Sequence, residues 1–215
     1  MTNEPYSTKG MRSYSDGFDF FPSCPAISNI QVCWDCMNPF IIDSAEVRYA
    51  DSPEDYENGE ISTGRLPYEE VKVLTLPFLP LPDNKPFEFF LRKEFLISYN
   101  HAFRGLDADA FADFETDDDF VRSDEDVELH HKNLAAMAEI MENPDFPDDE
   151  DKTLFLAEIY RELGNFERTI ELLKNFTSEN TFLTRNAEQI RRKAVEKESR
   201  VFEIDRTGEK IMVVF

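Results

Sequence analysis

The chain has 215 residues, with 45 Asp and Glu against 23 Lys and Arg, a formal charge of −22, 41% hydrophobic residues and 20 Phe. That apolar and aromatic content excludes wholesale disorder, and the length allows one large domain or two small ones with a real core. The charge sets nucleic acid and anionic membranes aside as partners and favours a protein partner, a basic one by complementarity.

Residues 1–10 lack periodicity and are expected to form a flexible tail, with no apolar core of a signal peptide. No stretch approaches the roughly 20 apolar residues of a membrane helix. With three cysteines, too few for a disulfide scaffold, a reducing, cytoplasmic setting is expected. Ile27–Val32 and Phe40–Ile42 are β-prone and flank Cys33-Trp34-Asp35-Cys36. A strand, a tight knuckle and a second strand suit them. Residues 11–67 are therefore expected to form a small β-rich cysteine module, with the polar 51–67 stretch as its linker.

Cys33 and Cys36 are close enough on one knuckle to share a metal ion or to form a disulfide, and Cys24 could return as a third ligand. A structural zinc site takes about four N or S ligands, and His101, His130 and His131 lie in distant helical segments. Zinc is thus the candidate cofactor for Cys24, Cys33 and Cys36 with one ligand lacking. Thiol redox chemistry is the other alternative. It wants the first thiol at a helix N-terminus, whereas Asn38-Pro39 follows at once and Asp35 adds negative charge. Plain packing of the cysteines as small apolar residues is the third.

Val71–Pro86 alternates apolar residues with proline, which predicts an extended strap. Pro86 suits the start of a helix, and Leu91, Phe95, Tyr99 and Ala102 keep helical spacing to about Arg104. Asp107 to Glu128 holds eleven carboxylates and one arginine. Such repulsion predicts a solvated loop, serving solubility or the recruitment of a cationic partner. From Val127 the pattern is helical. Leu134, Met137, Ala138 and Met141 form one face, stopped at Asn143-Pro144. Leu154, Ala157, Ile159, Tyr160 and Leu163 form the next, ended by Gly164. Phe166, Ile170, Leu173 and Phe176 make a partner helix, and a further helix spans roughly Phe182 to Lys197. Val201–Ile204 and Lys210–Phe215 predict a closing C-terminal β-hairpin around Asp205-Arg206-Thr207-Gly208.

Leu156-Ala157, Tyr160, Leu163-Gly164-Asn165-Phe166 and Ile170 to Leu173 resemble the tetratricopeptide pattern. Thr153, Thr169 and Thr181 depart from it, and one clear copy is present, over about Thr153 to Glu179. The resemblance implies a helix pair with Ala157, Tyr160, Leu163, Ile170 and Leu173 buried between its members. It also implies a concave, peptide-binding face. An ordinary helical hairpin within a single core accounts for the same residues. Tyr14-Ser15-Asp16-Gly17, Phe21-Pro22, Pro25-Ala26-Ile27, Leu91-Arg92, Asn100 and Ala187-Glu188-Gln189-Ile190 are similar to a group of uncharacterised bacterial proteins. Those proteins carry an N-terminal C-x-x-C segment and a tetratricopeptide-like helical region, and the likeness implies architecture but no reaction.

Other chemistry is not singled out. His130 and His131 are adjacent and point about 100° apart on a helix, and His101 beside aromatic residues suits a structural role. Asp117-Asp118-Asp119 lacks EF-hand spacing, and no nucleophile elbow or phosphate loop occurs. The expected class is α+β: a β-rich cysteine module, then a mainly helical body over 68–215 with the acidic loop 107–128. The expected function is a non-catalytic, scaffold- or adaptor-like protein–protein interaction protein. The alternative is a metal-binding or thiol-redox module centred on Cys33 and Cys36.

Overall fold

The computed structural model describes residues 12–17, 19–20, 30–32, 39–41, 68–81, 83–104, 122–147 and 150–205. Six α-helices dominate them: α1 Tyr68–Thr75, α2 Lys85–Asn100, α3 Asp124–Glu142, α4 Glu150–Glu162, α5 Phe166–Leu173 and α6 Thr181–Val195. The strands are only two or three residues long: β1 Arg12–Ser13, β2 Asp19–Phe20, β3 Ile30–Val32 and β4 Pro39–Ile41. They form antiparallel pairs, β1 with β2 and β3 with β4. The expected α+β class is therefore corrected to a mainly α-helical fold. β-branched and aromatic runs are a weak guide here, because strands this short bury too little to define a layer.

Helix starts follow local chemistry. The side chains of Asn84, Ser123, Asn165 and Asn180 each accept a backbone N–H in the first turn of α2, α3, α5 and α6. Three acidic residues, Asp124, Glu125 and Asp126, occupy the first turn of α3, where the helix dipole favours them. The end of the acidic block thus belongs to a helix, while residues 107–121 lie outside the described residues.

The predicted strap over Val71–Pro86 is also corrected. Tyr68–Thr75 is helical, Leu76–Phe78 is a 3₁₀ turn, and Leu79 after it is extended. Pro67 and Pro77 lie far enough apart to leave two proline-free turns, and Tyr68 and Val71 bury one face against Phe95 and Tyr99. Asp126 locks α1 to α3, accepting bonds from Tyr68 Oη (3.0 Å), Lys72 Nζ (2.7 Å) and Ser123 Oγ (2.7 Å). The bonds from Lys72 and Ser123 hold its carboxyl down at about 2.

α4 is the central helix. Leu156 and Ile159 join Leu96 of α2 and Leu134, Met137 and Met141 of α3 in one cluster. Leu154 and Ala157 join Leu173 of α5 and Ala187 and Ile190 of α6 in another. In the α4–α5 pair, Ala157 and Leu173 are buried, while Tyr160, Leu163 and Ile170 are only half-buried. Tyr160 turns toward α3, its hydroxyl donating to Glu142 Oε1 at 2.7 Å. Thr169, at a position where the repeat pattern favours Ala, is buried and donates to the Ala157 carbonyl at 3.0 Å.

Gly164 ends α4 with φ of +76°, and a Cβ there would meet no atom within 4 Å. The substitution Gly164→Ala should therefore cost backbone strain alone, about 1 kcal/mol in urea unfolding, and Gly164→Asn less. A null effect for Ala would contradict this.

Of the predicted C-terminal hairpin only the first arm is described. Val201–Ile204 pairs with the N-terminal segment: Ser15 N donates to Phe202 O (3.0 Å) and Ile204 N to Ser13 O (2.7 Å). Lys210–Phe215, the second predicted arm, lies outside the described residues. Tyr14 is buried against Ile97 and Val201, so the two segments close over the C-terminal half of α2.

Candidate functional site

Cys24, Cys33 and Cys36 lie outside the described residues, as does the 51–67 linker. The β3–β4 pair brackets the Cys33–Cys36 stretch, with Val32 opposite Pro39. Among the described residues there is no group of three His, Cys, Asp or Glu arranged to hold a metal ion. His101 is buried after α2, His130 is buried in α3, and its neighbour His131 is exposed. No helix among the described residues is long and apolar enough to cross a membrane.

Sequence reasoning missed a buried polar centre. Asp16 from the N-terminal segment, Asn100 and Arg104 from the end of α2, His130 from α3 and Glu162 from α4 converge there. Arg104 forms an ion pair with Asp16 and donates from Nη1 to the Ile97 carbonyl at 2.8 Å. Asn100 Nδ2 donates to Asp16 Oδ2 (3.1 Å) and to both Glu162 oxygens (3.2 and 3.1 Å). His130 stacks on Tyr99 with ring centroids 3.7 Å apart, and its Nε2 lies 3.4 Å from Glu162 Oε2. Burial, and then the nearby Asp16 carboxylate, push the Glu162 carboxyl up to about 7. Burial, and then the Arg122 guanidinium, push the His130 imidazole down to about 3. Burial thus works against the charged form of both groups.

One helical turn away, Arg161 and Glu158 pair in two parallel bonds of 2.7 and 2.5 Å. Arg161 Nη1 also donates to the Glu198 carbonyl, and Phe202 lies over the guanidinium at 5.0 Å. The helix end, the C-terminal segment and the N-terminal segment are thereby joined. Every one of these polar side chains is buried, so the centre ties elements together.

A groove of about 410 Å³ opens beside this centre, within the range of ligand sites. Phe89 of α2, Phe146 after α3, Phe155 of α4 and Phe182 of α6 line it. Phe89 meets Phe146 and Phe155 edge-on, at 5.0 and 6.0 Å between ring centroids. Lys93 and Lys152 stand at its walls, over the rings of Phe155 (5.3 Å) and Phe146 (5.7 Å). Gly17, at φ of +76°, forms one corner. A Cβ there would lie 3.7 Å from Lys93 Nζ and 3.8 Å from Phe155 Cε2, so the absence of a side chain keeps that corner open. Asn186 also lines the groove, and its buried Oδ1 has no hydrogen-bond partner among the described residues. The sequence signal for this site was only an excess of Phe, since its lining residues come from distant stretches of chain.

Comparisons with family models, with curated proteins and with solved structures found no match.

Proposed function

We propose that this chain is a non-catalytic, adaptor-like interaction protein that docks a segment of a partner protein in the groove between α2, α4 and α6. The observation that supports this reading is the groove itself. Four half-buried Phe side chains surround a ligand-sized space beside a buried carbonyl oxygen that lacks a donor. An extended segment supplies what such a surface lacks: a bulky apolar side chain for the rings and a backbone N–H for the oxygen. The tetratricopeptide-like pair α4–α5 would then supply one wall and the rigidity behind it. The buried centre serves as the lock that holds the N-terminal corner in place. Selection of a displayed random-peptide library on the intact protein tests the reading. A shared apolar anchor should be enriched on the native chain and lost on a Phe155→Ser variant that keeps its helical circular dichroism. Equal enrichment on both proteins, or none on either, would contradict it.

The β3–β4 pair favours a second reading of the N-terminal part, as a zinc knuckle held by Cys33, Cys36 and Cys24. Its antiparallel register sets Val32 opposite Pro39, the described residues that flank the C-x-x-C stretch in sequence. About one equivalent of zinc should then be released from the purified chain by thiol-modifying reagent, and none from a Cys33→Ser/Cys36→Ser variant. Metal-free native protein that keeps its fold would contradict it.

A further inference from the structure

We infer that the segment docked in the groove carries a carboxylate beside its apolar anchor, so that the groove selects acidic-aromatic peptides over basic ones. This rests on the groove being the docking site proposed above and names what it selects. The chain as a whole repels anions, with a formal charge of −22. The groove departs from that field. Lys93 and Lys152 stand on two of its walls, and among the described residues lining it Asp151 is the one carboxylate. Lys93 makes no ion pair among the described residues, and its Nζ stands at the open corner beside Gly17 and Phe155.

Distance decides which field matters. At physiological ionic strength charges more than about 8 Å apart are largely screened, so the remote carboxylates slow the approach of an anion but do not set its contact energy. At contact, the ammonium of Lys93 is held against an aromatic wall of low polarity, where an ion pair gains more than it does in open water. Its Nζ stands over the Phe155 ring at 5.3 Å, so the group is partly ordered before any ligand arrives. An anchor ring among Phe89, Phe146 and Phe155, a carboxylate on Lys93 and a backbone N–H on Asn186 Oδ1 satisfy all three features together. A basic segment would satisfy the rings and place its cation against Lys93.

Short fluorescent peptides with one central Phe, flanked by Glu, Gln or Lys, test this on the intact protein by anisotropy at two salt concentrations. The Glu-flanked peptide should bind about five-fold tighter than the Gln-flanked one at physiological salt, as expected for one partly desolvated ion pair. The Lys-flanked peptide should bind weakest. The Glu preference should narrow in high salt and disappear in Lys93→Gln. Asn186→Leu should weaken all three peptides while raising the melting temperature, because it removes an unsatisfied buried oxygen. Equal binding of the Glu and Gln peptides, or a preference for Lys, would overturn the inference and leave the groove as a docking site. If no peptide binds at all, both the inference and the groove reading fail.

Discussion

Replacing Arg161 with Met is expected to destabilise the protein by about 3–5 kcal/mol, because Glu158 would be left buried without its partner. Both side chains are essentially inaccessible. Burial works to lower the Arg161 pKa, and the Glu158 carboxylate overrides it, so the guanidinium stays charged at every pH of interest. The loss would spread along the chain, since Arg161 also holds the Glu198 carbonyl and stacks under Phe202. Deuterium uptake should therefore rise first at Val201–Ile204 and at the N-terminal segment paired with it. The double variant Glu158→Leu/Arg161→Met should recover most of the stability, as apolar replacements of buried pairs commonly do. A single-variant cost below 1 kcal/mol in denaturant unfolding, or a double variant as weak as the single one, would contradict this description.

The second large effect concerns pH. Glu162 has a folded-state pKa of about 7 against an ordinary 4.5. Between those values the folded chain holds a proton that the unfolded chain releases, so this group's contribution is present at low pH and lost as pH rises through 7. His130 works in the opposite direction. Its folded-state pKa is about 3 against 6.5, so its contribution is present above 6.5 and lost as pH falls toward 3. Each amounts to several kcal/mol, on the order of 3 or more, and between about 4.5 and 6.5 the two slopes offset. Measured against the native chain, Glu162→Gln should be more stable above pH 7. It should then lose that advantage steadily on acidification, at about 1.4 kcal/mol per pH unit, because the His130 slope is no longer opposed. His130→Phe, which keeps the stack on Tyr99, should show the mirror image and gain stability relative to the native chain from about pH 6.5 down to about pH 3. Difference profiles that stay flat for both variants would show that neither group is buried as described.

How much of this was legible in the sequence follows from the range of each interaction. Helix boundaries set by local chemistry were readable: Gly164 and Asn143-Pro144 end their helices where expected, and Pro86 lies in the first turn of α2. α1 was missed because the run of prolines from Pro77 to Pro86 masked the helical spacing of Tyr68, Val71 and Thr75 before it, all of which are buried. For Val201–Ile204 the pairing with the N-terminal segment was missed. Nothing local tells an arm whether it meets the next segment or one near residue 14. The buried centre was illegible for the same reason. Asp16, Asn100, His130 and Glu162 are ordinary polar residues until the fold removes them from water together. In the groove, the sequence showed many Phe but not which would share a wall.

The most direct test of the proposed function is a nuclear magnetic resonance titration of the isotope-labelled chain with the tightest-binding Glu-flanked peptide. Saturable shifts should cluster on Gly17, Lys93, Phe155, Phe182 and Asn186, the residues that converge on the groove. They should be absent from the basic outer face of α6 around Arg191 and Arg192, which offers charge without an apolar wall. Shifts confined to Arg191 and Arg192, or scattered without saturation, would show that the groove does not dock the peptide.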